Sequence, residues 1–266
     1  MQAETKKVLI VARTYPTPAK KGVEVSCTAG ITTDGKWIRL FPVPYRFLDD
    51  DQRFSKYQTI EVSVIKASDA RPESYKIIGD SIKILSLPLS TANGWAARKE
   101  VLRPLKAHCL CCLKKERDAN GFPTLGFFQP KKITCLLIDE DEKEWTEEQL
   151  AALRQMDLFG KAKTVELEKV PHNFRYKFQC DEDSCKGHTI TCTDWEMGQA
   201  WRRWRKDYGS GWQEKFRQKF EEEMINKFDT HLFAGTIHGH PHTWIIIGLF
   251  YPPKDDALPL FDGLTG

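Results

Sequence analysis

The sequence predicts an α+β fold: a small barrel-like β unit at the amino end, a helical middle, and a carboxyl-terminal α+β unit with a metal-clipped hairpin. Three observations predict it. Strand-length runs separated by turn signals fill residues 5–90. From Gly94 onward, apolar residues recur at helical spacing. Two thiols and an imidazole, Cys180, Cys185 and His188, then fall within nine residues between two alternating runs.

In chain order, 7–13 and 23–31 read as strands, and the Asp34-Gly35 turn introduces a third over 35–41 that Pro42 and Pro44 should stop. Residues 57–66 alternate, with Ile60, Val62 and Val64 on one face, and 74–89 hold one or two more strands. Trp95, Leu102, Leu105, Cys109, Cys112 and Leu113 follow helical spacing, interrupted by Pro104 and closed by Gly121. A loop and strand span 125–138. The acidic stretch 139–144 is the linker candidate, giving units over 1–140 and 141–266.

Thr146 to Gln149 forms a capping box, with Trp145 set to staple against Leu150, for a helix that should stop near Gly160. Residues 174–180 and 188–192 alternate as strands. A second capping box, Thr193 to Glu196, opens a helix whose apolar face is Met197, Trp201, Trp204 and Tyr208. Trp212, Phe216, Phe220, Met224 and Phe228 mark another helix at nearly strict i, i+4 spacing. Strands over 232–237 and 244–251 finish the chain.

Composition narrows the classes. With 266 residues, 41% hydrophobic and 11% aromatic, the chain can build a real core. The net charge of +3 makes it no polycation, so nucleic-acid contact would need a local patch. No apolar run reaches membrane-spanning length, and the run at 8–12 is too short for a signal segment, so the expectation is a soluble cytoplasmic protein without a membrane partner. The eight cysteines are clustered, which in a reducing compartment favours metal ligands or buried thiols over disulfides.

A turn centred near Ser184 would set Cys180 opposite His188 and Tyr176 opposite Cys192, with Cys185 in the loop above. Those three donors suit zinc. Asp181, Asp183, a distant residue or water would complete the shell, and an open fourth position would make the site potentially hydrolytic. Cys109, Cys111 and Cys112 read as buried thiols, since a metal there would need ligands from another segment such as Cys135 or the hairpin.

Other constellations point to ligands. Trp37, Arg39, Tyr45 and Arg46 put cations beside aromatics on the barrel wall. The helices over 196–219 carry seven basic residues, Arg202, Arg203 and Arg205 among them, against three acidic ones. Asp194 and Glu196 resemble a carboxylate pair of a metal-dependent nuclease, although helix capping also explains them. His238, His240 and His242 could reach a metal or phosphate. No P-loop, Rossmann fingerprint, nucleophile elbow or His-Glu-x-x-His occurs.

The segments 39–46 (Arg-Leu-Phe-Pro-Val-Pro-Tyr-Arg), 71–74, 125–131, 194–196 and 235–254 resemble a family of uncharacterised bacterial proteins over nearly the whole chain. The resemblance implies an association with mobile or defence-related genes and transfers no catalytic residue. Taken together, the sequence points to a cytosolic nucleic-acid-binding or nucleic-acid-processing protein with a structural zinc held by Cys180, Cys185 and His188. Trp37, Arg39, Tyr45, Arg46, Arg202, Arg203 and Arg205 would meet the nucleic acid. The alternatives are a metal-dependent hydrolase or nuclease, in which Cys180, Cys185 and His188 hold the ion and Asp194, Glu196 or a carboxyl-terminal histidine such as His238 is the base, and a non-catalytic protein-interaction module.

Overall fold

The computed structural model describes residues 2–18, 24–154 and 167–254. Five strands close the amino-terminal barrel: β1 (Glu4–Arg13), β2 (Glu24–Thr32), β3 (Trp37–Val43), β4 (Thr59–Lys66) and β5 (Ser74–Ile77). Their order is β1-β2-β3-β5-β4, and β4 returns to pair with β1 through Val8↔Ile60. All pairings are antiparallel except β3 with β5, where Arg39 faces Ser74. That order, with one parallel pair, is the connectivity of an OB-type barrel. Register shifts in the β1–β2 and β2–β3 ladders supply the extra bend that closure needs.

Alternation explains the interior. Val8, Ile10, Ile38, Leu40, Ile60 and Val62 point inward and are buried. The opposite faces of β1 and β2 are buried too: Val11, Ala12, Ala29 and Ile31 pack outward against the carboxyl-terminal sheet. That sheet orders β11 (His240–Phe250), β10 (His231–Ile237), β6 (Leu125–Phe128) and the two-residue strand Lys106–Ala107. Its Phe127, Phe233, Ile247 and Phe250 meet the barrel. Gly248 permits the approach, because a Cβ there would lie 2.7 Å from the Cβ of Ala12. Strand β3 runs through Pro42 to Val43 rather than stopping at the proline.

A three-stranded sheet forms from β7 (Lys132–Glu140), β8 (His172–Gln179) and β9 (His188–Thr191). It covers the 140/141 boundary expected from the sequence: Glu140 pairs with His172, and Asp139 holds Arg175 at 2.7 Å. Residues 139–140 are therefore strand, not linker. Helix α1 (Ala92–Leu102) follows the barrel in sequence, α2 (Leu110–Asn120) precedes β6, and α3 (Glu147–Arg154) lies between β7 and β8. The capping box of α3 forms in both directions, Thr146 N to Gln149 Oε1 at 2.9 Å and Gln149 N to Thr146 Oγ1 at 3.3 Å. The end expected for this helix near Gly160 lies outside the described residues.

Helix α4 (Trp195–Tyr208) and α5 (Trp212–Arg217) cover the three-stranded sheet with Met197, Trp201 and Phe216. Tyr208, expected on the apolar face, is half exposed. Beyond α5 the backbone runs as a π-helix over Gln218–Glu223 and returns to α at Met224–Asn226. A 4.0-residue apolar repeat drifts off the face of a 3.6-residue helix, and a stretch of wider turns cancels the drift. Phe216, Phe220 and Met224 accordingly stay buried together. No described helix is long and apolar enough to cross a membrane.

Candidate metal centre

Two segments build the centre, the amino end of α2 and the hairpin between β8 and β9. Cys109 is the N-cap of α2, and its Sγ accepts from the Cys112 amide at 3.2 Å. This anchors the first turn and leaves Cys111 directed at the hairpin. The hairpin register sets Phe178 opposite His188 and Tyr176 opposite Ile190. The expected pairing of Cys180 with His188 is therefore off by two residues, because the turn closes earlier than Ser184. Cys180 lies just past the end of β8, where Gly187 (φ 88) bends the chain back into β9.

The result is a convergence of Cys111, Cys180, Cys185 and His188, whose ligand atoms all lie within 4.8 Å of one another. The His188 Nε2 is 3.2 Å from the Sγ of Cys111 and 3.5 Å from that of Cys185. The Cys185 sulfur also accepts from the amides of Cys180 (3.3 Å) and Gly187 (3.4 Å). Burial works to raise this thiol, but the two amides and the thiols of Cys111 and Cys180 outweigh it and leave it below its ordinary value. Burial pushes Cys180 up to about 11 and Cys111 higher still. Burial, aided by Lys114, lowers His188, which keeps the imidazole neutral as a ligand requires.

The donor set fits a metal. Three sulfurs and one nitrogen match a closed tetrahedral zinc site, whose bonds of about 2.0–2.3 Å place donors roughly 3.5 Å apart. Cys111 supplies the fourth donor, so of the expected candidates (Asp181, Asp183, a distant residue or water) it is a distant residue that joins the group. The sequence read Cys111 as a buried thiol lacking metal partners of its own, and the hairpin is the segment that brings them. Among the described residues, a second group of metal-ligating type, His108, Cys112 and Glu182, stands beside the first.

The other expected site residues lie elsewhere. Asp194, not Thr193, caps α4: its Oδ1 accepts from the Glu196 amide at 2.6 Å and its Oδ2 from the Leu249 amide at 3.0 Å. The Thr193 amide instead bonds Ile246 O. Lys56 of the barrel stands 3.6 Å from Asp194 and 3.1 Å from Glu196, and the Tyr251 hydroxyl donates to Glu196 at 3.3 Å. Asp194 is buried and fully engaged, as a structural joint between barrel and helix. His238 is exposed at the β10–β11 turn, 3.4 Å from Asp69, and neither metal-ligand group includes it, Asp194 or Glu196.

Arg39 is 2% exposed. Its guanidinium donates to Thr124 O (2.8 Å) and Thr236 O (3.4 Å) of the carboxyl-terminal unit and pairs with Glu73 (3.2 Å). Trp37 packs edge-on against Phe233 at 6.2 Å. The wall of the barrel expected to meet nucleic acid is thus covered by the chain's own second sheet. Tyr45 lies under Arg13, whose guanidinium is 3.4 Å from the ring and 4.2 Å from that of Trp195. Arg46 binds Glu24 at 2.9 Å. Arg202 and Arg205 share Glu168, and Arg203 pairs with Asp207.

Beside Arg205 opens a cavity of about 670 Å³ walled by Trp145, Trp201, His172 and Lys169. Trp145 and Lys169 also line a second cavity reaching Tyr15 and Thr193, and those two line a third that extends to Arg39 and Arg71. The shared residues make the three cavities neighbours: the first is a cleft within the carboxyl-terminal unit, and the second and third lie where that unit meets the barrel unit. No residue signal short of knowing the packing of the sheets could have located them.

A family profile described as a domain of unknown function, DUF8757, matches residues 106–265, and a second, DUF8758, matches residues 4–104. No curated protein matches the chain. Among solved structures, a murine DNA-binding protein bound with double-stranded DNA aligns over 98% of this chain and 100% of its own, at 11% identity and a TM-score of 0.31.

Proposed function

Since the chain belongs to the DUF8757 family, we propose, from the chemistry of its sites, that it is a nucleic-acid-binding protein whose Cys111, Cys180, Cys185 and His188 hold a structural zinc. The observation that carries the metal assignment is the meeting of four zinc-type donors from two separate segments. When bound, the ion supplies a cross-link with no open position. The chain's own groups set it up: the Cys180 and Gly187 amides orient the Cys185 sulfur, and burial keeps His188 unprotonated.

For the ligand, an OB-type barrel is an architecture that serves oligonucleotides, but its usual face is occupied here, so the cleft is the surface left to do this work. Its size falls in the range of ligand sites, about 300–1,000 Å³. Trp145 offers a planar surface to an unstacked base, and Lys143, Lys169 and Arg205 stand at the rim as phosphate-compatible cations, interleaved with Glu140, Asp141, Glu144 and Glu168. Arg202 and Arg203 extend that charge along α4. Single-stranded nucleic acid suits the cleft better than a duplex, because stacking on indoles needs exposed base faces.

Fluorescence anisotropy with a labelled single-stranded oligonucleotide between about 50 and 200 mM salt tests the reading. Binding that falls steeply with salt, and is weakened by Trp145→Ala, is expected. Binding that stays flat with salt and is indifferent to Trp145 would sink it.

A further inference from the structure

Beside the four-donor site, the same two segments bring a second set of ligands together. His108, Cys112 and Glu182 offer atoms within 4.8 Å of one another, and none of them belongs to the first site. Cys112 follows Cys111 at the start of α2, and Glu182 lies in the loop between Cys180 and Cys185. Geometry built to present one set therefore presents the other.

The surroundings are those of a ligand shell. The His108 Nε2 is 3.0 Å from the Asp181 carbonyl oxygen. A carbonyl can only accept, so Nε2 carries the hydrogen, and in the neutral ring Nδ1 is left with its lone pair. Metal-bound histidines characteristically donate their second nitrogen to such an acceptor. Glu182 is similarly divided: Oε2 is held by Lys115 at 2.9 Å, and Oε1 turns to the Cys112 sulfur at 3.3 Å. Behind them the Cys109 thiol donates to the Cys112 sulfur at 3.1 Å.

We propose that the joint between α2 and the hairpin binds two divalent cations, the second at His108, Cys112 and Glu182. One sulfur, one nitrogen and one oxygen select a borderline transition ion such as Zn²⁺ or Co²⁺ over Mg²⁺ or Ca²⁺, which take oxygen ligands. Three protein ligands leave a position for water, and His108 is exposed, so this ion faces solvent while its neighbour is enclosed. It is the exchangeable ion of the pair. The inference uses its own ligands and stands apart from the nucleic-acid reading.

The test is elemental analysis of the full chain, purified reduced, loaded with Co²⁺ and desalted, with the cobalt absorption spectrum recorded alongside. Two equivalents per chain are expected for the wild type. His108→Ala, an exposed change with little effect on folding, and Cys112→Ser should each leave one equivalent and retain the strong thiolate-to-cobalt band of the three-sulfur site. Cys185→Ser should lose that band and keep the second ion. One equivalent in the wild type, unchanged by His108→Ala and lost with Cys185→Ser, overturns the second site and leaves the first standing. No cobalt in any variant overturns both. A wild-type mass two hydrogens light with one cobalt bound, marking a Cys109–Cys112 disulfide, also overturns the second site.

Discussion

The Nε2 of His188 lies 3.2 Å from the Sγ of Cys111, across 77 residues of sequence. This contact joins the start of α2 to a hairpin of the adjacent sheet, and their union turns a three-donor loop into a closed four-donor set. Removing Cys111 should therefore cost more than a buried thiol normally does. Cys111→Ser is expected to abolish binding at the enclosed site and to destabilise the chain by about 3 kcal/mol, or roughly 6–12 °C in Tm. A strong chelator added to the wild type should produce a similar shift, and no further shift in the variant, by differential scanning calorimetry.

Arg39 separates the two views of the barrel wall. Arg39→Ala leaves Glu73 without its cationic partner and removes the guanidinium that ties the Thr124 and Thr236 carbonyls to the barrel, although each carbonyl keeps another donor. A loss of about 3–5 kcal/mol is expected from chemical denaturation. Arg205→Ala, at the cleft rim, should leave stability within about 1 kcal/mol and lower the salt slope of oligonucleotide binding by about one.

Asp194 carries the joint between barrel and helix α4. Asp194→Ala removes the acceptor for two amides and a partner of the largely buried Lys56. Its expected cost is about 3–5 kcal/mol, measured as a lower denaturation midpoint with the slope unchanged. Capping alone would account for about 1 kcal/mol of this.

Acid should loosen the contact between units through Asp69. Burial acts to raise its carboxyl, but the Arg71 side chain and amide, with His238, overcome that and hold it well below the usual carboxylate range. Arg71 in turn donates to Thr236 O of the second sheet at 2.8 Å. A depressed folded value means this stabilisation is complete above the unfolded value of about 3.9 and is lost as pH falls through the folded one. Tm should fall more steeply below about pH 4 in the wild type than in Asp69→Asn.

Gly248 tests how closely the sheet and barrel are fitted. Gly248→Val would drive a side chain into Ala12 and the ring of Phe233. Overpacking of about 1–3 kcal/mol is expected, readable as a lower Tm with metal content unchanged.

Much of this was legible in the residues. Ile60, Val62 and Val64 announced a barrel strand because one face of it is buried and period-two patterning follows. Cys180, Cys185 and His188 are near neighbours in sequence, so a turn alone could bring them together. Cys111 was not legible as their partner, since only the packing of α2 on the sheet decides where its sulfur points. The hairpin register slipped for a similar reason: two residues more or less in a polar loop leave the alternation unchanged. Arg39 and Trp37 misled because an arginine beside a tryptophan reads as a binding surface unless one knows that another sheet lies on it. The hint was in β1 and β2, where Val11-Ala12 and Ala29-Gly30 break the inside–outside alternation with small residues suited to a second buried face.

The long interval between the two halves of the metal cluster has a consequence for biosynthesis. A ribosome adding about 5–20 residues per second delivers the second half roughly 4–15 s after the first. For that time Cys111 and its neighbouring thiols emerge without their imidazole, as a bare sulfur-rich helix end open to stray copper or oxidants. Oxidation of these thiols before the hairpin emerges would leave the four-donor set incomplete.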